Sequence, residues 1–156
     1  MSFTDTDLKH QLVLLSEIEN QSDRGSAIVG STWVEEELKT AIKSKLIDDE
    51  KVWSRLFRNS GPLGTFSSNI DLAYMLGAIT KYQHSDLQLL RKIRNDFAHK
   101  LVSKEIEALN FDTPNIKDRC MSIECIKKEG VSTARQAFCR ACAILYSDLY
   151  LVSWKG

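Results

Sequence analysis

Residues 89–102, LLRKIRNDFAHKLV, decide how the chain is read. Leu87, Leu90, Ile93, Phe97 and Leu101 recur at intervals of three or four, so an α-helix over residues 80–102 gathers them on one face. The polar residues between them fall elsewhere. Asn95 and His99 stand one turn apart, with Arg91 extending the same row. Arg94 lies about 100° from Asn95, on the border between that row and the apolar stripe. The stretch is therefore either a site that acts on something or a core helix with a charged rim.

Outward from this helix the same periodicity repeats. Leu8, Leu12, Leu15 and Ile18 form a stripe over residues 5–21. A second helix is predicted from Asp23 to Ile47, with Ala27, Ile28, Trp33, Val34, Leu38, Ile42 and Leu46 inward. Glu35, Glu36, Glu37, Lys39, Lys43 and Lys45 then point outward, Glu35 and Lys39 as an i,i+4 pair in the favourable order. Gly30 in mid-helix costs about 1 kcal/mol relative to alanine and marks close packing against a neighbour. Asp48-Asp49-Glu50 opens a short helix containing Trp53, Leu56 and Phe57. Gly61-Pro62-Leu63-Gly64 breaks the chain, and Ser68-Asn69-Ile70-Asp71 reads as a capping box for a helix over 68–79. Pro114, at a tolerated first position, predicts a helix from Ile116 to Ile126, and Thr133 with Gln136 caps a last one reaching Val152. Nothing alternates with period two for long. The expected fold is all-α, a single-domain bundle of about six or seven helices spanning residues 1–156.

Composition narrows the function. The 156 residues carry 21 basic and 21 acidic side chains, and a net charge of zero argues against a strong non-specific grip on DNA. The balance is uneven: residues 1–90 hold 9 Lys+Arg against 13 Asp+Glu, and residues 91–140 hold 11 against 7. Phosphate contacts, where there are any, would begin at Arg91 and Lys92. No apolar run approaches the roughly 20 residues of a membrane span, and MSFTDTDLKH is not a signal peptide, so a cytoplasmic protein without membrane contact is expected. Cys120, Cys125, Cys139 and Cys142 would then be reduced. Their C-x4-C-x13-C-x2-C spacing outlines a zinc site. However, Cys139 and Cys142 fall in an Ala-rich apolar helix without a Gly/Pro knuckle, which favours core packing, with no metal and no cofactor. GPLG lacks the spacing and the lysine of a phosphate loop. Trp33, Trp53 and Trp154 read as core or interface anchors, and His10 and His84 as isolated surface residues.

Residues 61–101, GPLGTFSSNIDLAYMLGAITKYQHSDLQLLRKIRNDFAHKL, resemble the central segment of the mannitol operon repressor (MltR-like) family. The marks are Gly61-Pro62-Leu63-Gly64, Ile70-Asp71-Leu72-Ala73, Leu76-Gly77, and Asp86-Leu87 leading into Ile93-Arg94-Asn95-Asp96-Phe97-Ala98-His99. The resemblance implies an all-helical bacterial regulator without a recognised helix-turn-helix, acting in transcriptional control through a protein partner. In that reading Gly61, Pro62, Gly64, Asp71 and Asp96 are structural, and Arg94 and His99 tie the long helix to the Gly61–Asp71 segment. The absence of a convincing recognition helix fits a regulator that does not read DNA bases directly.

A second resemblance points elsewhere. Arg94-Asn95 with Ala98-His99 is similar to the R-x4-H signature of HEPN domains, small helical bundles that include metal-independent endoribonucleases of toxin and phage-defence systems. It implies RNA as substrate, Arg94 on the phosphate, Asn95 orienting and His99 as acid/base, with motifs meeting across a homodimer. The chemistry suits those residue types: cleavage by the RNA's own 2′-hydroxyl needs a histidine to move its proton near neutral pH and a fixed arginine charge to stabilise the phosphate in the transition state. Against both, the arginines of such a helix commonly pair with acidic neighbours, here Asp71, Asp86 or Asp96, and a histidine near the C-terminal end interacts with the helix dipole.

Overall fold

The computed structural model describes residues 5–99 and 109–155, and among them the chain forms seven helices and no strand. They are α1 (Asp5–Glu19), α2 (Asp23–Lys43), α3 (Glu50–Phe57), α4 (Phe66–Met75), α5 (Lys81–His99), α6 (Pro114–Met121) and α7 (Ala134–Lys155). The Leu101 end of the predicted apolar stripe and the side chain of Leu8 lie outside the described residues. In α1 the buried residues are Leu14 and Ile18, while Leu12, expected inward, is exposed.

The helix ends follow local chemistry. Asp49 caps α3 by accepting from the amides of Lys51 and Val52. Thr80 and Gln83 form a reciprocal capping box ahead of α5: the Thr80 amide donates to Gln83 Oε1 at 2.8 Å and the Gln83 amide to Thr80 Oγ1 at 3.2 Å. Helix α2 ends at Lys43 rather than Ile47, with Ser44 as its C-cap, and two further boundaries differ from the sequence reading. The first is α4, which begins at Phe66 because Thr65, not Ser68, is its cap, accepting from the Ser68 amide at 3.1 Å. It ends at Met75 because Gly77, at φ +69°, takes the left-handed turn of a Schellman motif, with the Gly77 amide bonded to Tyr74 O and the Ala78 amide to Ala73 O. The second is α6, which stops at Met121 rather than Ile126. There the buried Asp86 carboxylate takes the amides of Glu124 and Cys125 at 2.7 and 3.0 Å, offering these backbone groups an alternative to helical bonds.

Helices α2 and α7 form the centre and run in the same direction. Asp23 meets Arg135, Gly30 meets Cys142, Trp33 meets Tyr146 and Glu37 meets Ser153, in matching order along both helices. Gly30 permits the approach, since a Cβ there would stand 3.0 Å from Cys142 Sγ and 3.3 Å from the Phe138 ring. Around this pair, α1 packs on α7 and α2, α4 and α5 on α2, and α6 on α5 and α7. The predicted α5 stripe holds: Leu87, Leu90, Ile93 and Phe97 are fully buried. Phe97, Phe111 and Phe138 pack in series as tilted rings with centroids 5.2 and 5.3 Å apart, and each such buried ring contributes roughly 1.5–3 kcal/mol.

Candidate functional site

The Arg94 guanidinium points inward. It donates to Glu35 Oε2 of α2 at 2.5 Å and lies over the Phe66 ring of α4, 4.8 Å from its centre. Both charges are well covered, with side-chain exposures of 23% and 15%. Arg94 thus binds α5 to α2 and to the segment after Gly64, and its partner is Glu35 rather than Asp71, Asp86 or Asp96. Glu35, expected to point outward, is buried enough that leaving it unpaired would be costly.

The loop that seats Phe66 depends on its glycines. The Gly61 amide bonds to Arg58 O and the Leu63 amide to Leu56 O, curling the chain against the end of α3. A Cβ on Gly61 would sit 2.5 Å from Arg55 and Leu56 carbonyl oxygens, and one on Gly64 would collide with Arg58 O. Pro62 is exposed.

Other members of the polar ridge scatter. Asp96 pairs with Arg119 of α6, and Arg91 Nε donates to Gln88 Oε1 at 2.8 Å. Asp71 is exposed and accepts from His84 Nε2 at 2.8 Å, so His84 is not isolated but joins α5 to α4 beside Tyr74. Asn95 is half-buried, while Lys92 and His99 are exposed. Among the described residues no hydrogen bond joins Arg94 to Asn95 or His99, so R-x4-H is not assembled as one constellation.

The cysteines pack as small apolar groups. Cys120, Cys139 and Cys142 are buried and all four are free thiols. Burial pushes the Cys120 thiol up to about 12 and the Cys139 thiol up to about 11, and raises Cys125 and Cys142 as well, so thiolate is scarce at neutral pH. Among the described residues no His, Cys, Asp and Glu group together as metal ligands.

A second polar site went unnoticed in the sequence. On the α2–α7 face, Trp33 and Tyr146 set their rings 6.1 Å apart at 54°. Beside them Glu37 Oε1 accepts the Ser153 hydroxyl at 2.9 Å. Burial raises the Glu37 carboxyl above its ordinary range, opposed by the Ser153 bond and by nearby His10. Glu37 lay hidden in a Glu-Glu-Glu run; its only sequence signal was standing four residues after Trp33.

Over residues 35–147 the sequence matches the mannitol repressor (MtlR) family. This chain belongs to that family. The MtlR span runs from the Glu35 that holds Arg94, through the glycine loop, to the middle of α7. No curated protein matches the chain in sequence. In three dimensions it is similar to a chain of the X-ray structure of the MtlR-HPr complex from Escherichia coli, at 16% identity and a TM-score of 0.74, covering 91% of this chain and 99% of that one. The MtlR fold is shared, and the family resemblance read from residues 61–101 is borne out. Among the described residues no helix is long and apolar enough to cross a membrane.

Proposed function

We propose that this protein is a bacterial transcriptional regulator that acts through a protein partner rather than by reading DNA bases. The observation that carries the reading is its membership of the mannitol repressor family, in a fold also found in a chain of a complex with HPr. The charge distribution supports it. Three of the arginines behind the basic surplus after residue 90, Arg94, Arg119 and Arg135, are held by Glu35, Asp96 and Asp23 and so are engaged within the fold rather than offered to phosphate. Arg135 also donates to the carbonyls of Glu19 and Gln21, closing the end of α1. No observation favours phosphate chemistry at Arg94, whose guanidinium is already engaged. Because α1 packs on α7 and α2, residues before the matched span form part of the same unit.

The test is calorimetric titration of the purified chain with HPr from the same bacterium, beside a DNA-binding assay in low salt. We expect a roughly micromolar complex, on the order of −8 kcal/mol, and no sequence-selective DNA binding. Absence of an HPr complex together with selective DNA binding would overturn the reading.

A further inference from the structure

Trp33, Glu36, Glu37 and Thr40 occupy positions i, i+3, i+4 and i+7 of α2 and share one face. Tyr146 of α7 forms the opposing wall, and together they line an open cleft of about 340 Å³. That lies at the small end of ligand sites and leaves room for one long side chain.

What sets the cleft apart is a carboxylate that opens onto it without a cation, whereas the other covered carboxylates lacking one among the described residues are turned to amides: Asp86 accepts from Glu124 and Cys125, and Asp148 from Gln83. Glu35, Asp23 and Asp96 are partly buried carboxylates, and each has a guanidinium. Glu37 is also partly buried, yet among the described residues it pairs with no lysine or arginine. Lys39, the nearest lysine in sequence, is turned to Glu35 and Glu36. The groups facing Glu37 are the Ser153 hydroxyl, His10 of α1 and the Tyr146 ring.

We propose that this cleft receives an arginine or lysine side chain presented by a protein partner. The cation would lie against the Trp33 and Tyr146 rings, whose negative faces attract it, and complete a charge-assisted hydrogen bond to Glu37. Glu36 adds negative charge at the rim. An anion would meet two carboxylates there, and a neutral apolar group would leave Glu37 desolvated and unpaired. This deepens the partner-based function by naming where the partner docks and what it presents.

The pocket is tested without the partner. N-acetyl-arginine amide is titrated into the full chain while the Trp33 indole resonance is followed, with N-acetyl-citrulline amide as the neutral control. Glu37→Gln keeps an oxygen for Ser153 while removing the charge. Saturable shifts with the arginine probe, about tenfold weaker in Glu37→Gln and absent with citrulline, are expected. No saturation up to the solubility limit, equal binding by citrulline, or unchanged binding by Glu37→Gln would each overturn the pocket. Where HPr binds, Glu37→Gln should weaken that complex by a similar factor, and an unchanged affinity would overturn the docking role. Failure of HPr to bind would count against the proposed function alone, since the arginine titration reads the pocket independently.

Discussion

Glu35 and Glu37 stand two residues apart on α2, and their surroundings differ in kind. At 100° per residue they are turned 200° from one another, so one acidic run serves two faces. Glu35 faces α5 and holds Arg94, which in turn covers Phe66. Glu37 faces α7, is desolvated, and has a hydroxyl where Glu35 has a guanidinium. The first face is electrostatically complete and belongs to the fold. The second has open aromatic walls and an unneutralised carboxylate, which is what a recognition surface needs. The conspicuous RNDFAH motif thus lies largely on the structural side, and the functional candidate lies in an unremarkable stretch of α2.

The comparison can be broken most forcefully through the glycine loop. Gly64→Ala forces a Cβ into the Arg58 carbonyl, and since that neighbour is backbone, the segment carrying Phe66 must shift. A loss of about 3 kcal/mol or more in urea denaturation is expected. A wild-type midpoint would mean that the loop does not hold the Arg94 side together. Arg94→Ala should cost less, about 2 kcal/mol, because it leaves the covered Glu35 carboxylate with only the looser Lys39 contact at 4.0 Å and strips Phe66 of its cation.

On the other face the sign reverses. The Glu37 carboxyl is raised in the folded protein, so the native state holds its proton more tightly than the unfolded chain does. That favours the fold at low pH and is lost as pH rises through the folded value. Glu37→Gln should therefore raise the melting temperature modestly at pH 7 and leave it unchanged well below the ordinary carboxylate range near 4. A lower melting temperature at pH 7 would show that the charge is already compensated. His99→Ala, at an exposed position, should change stability by no more than about 0.5 kcal/mol.

Much of the architecture was legible because apolar spacing and cap chemistry act locally. The α5 stripe, the acidic opening of α3, Thr133 before α7 and Gly30 as a close-packing mark are short-range statements, and the structure agrees with each, with Asp49 serving as cap and Glu50 in the first turn of α3. The ends of α4 turned on a choice between neighbouring local signals, Thr65 over Ser68 as cap and Gly77 as stop, whereas the end of α6 was set by a tertiary partner. Asp86 lies 38 residues from the Glu124 amide that it takes, and no local pattern announces that bond. The pairing of Arg94 was missed for the same reason: its partner is 59 residues away, while nearer acids looked equally suitable. The Trp33–Tyr146 cleft depends on α2 and α7 running in parallel register, which periodicity on either helix alone cannot reveal.

The most direct test of Arg94 as part of the fold is a double-mutant cycle with Arg94→Ala, Glu35→Ala and the double variant, read by urea denaturation. A coupling of about 1–3 kcal/mol, with the double variant more stable than the sum of the single losses predicts, is expected for a covered ion pair. Losses that add within about 0.5 kcal/mol would contradict it, freeing the Arg94 guanidinium for a ligand and returning RNDFAH to candidacy as a site.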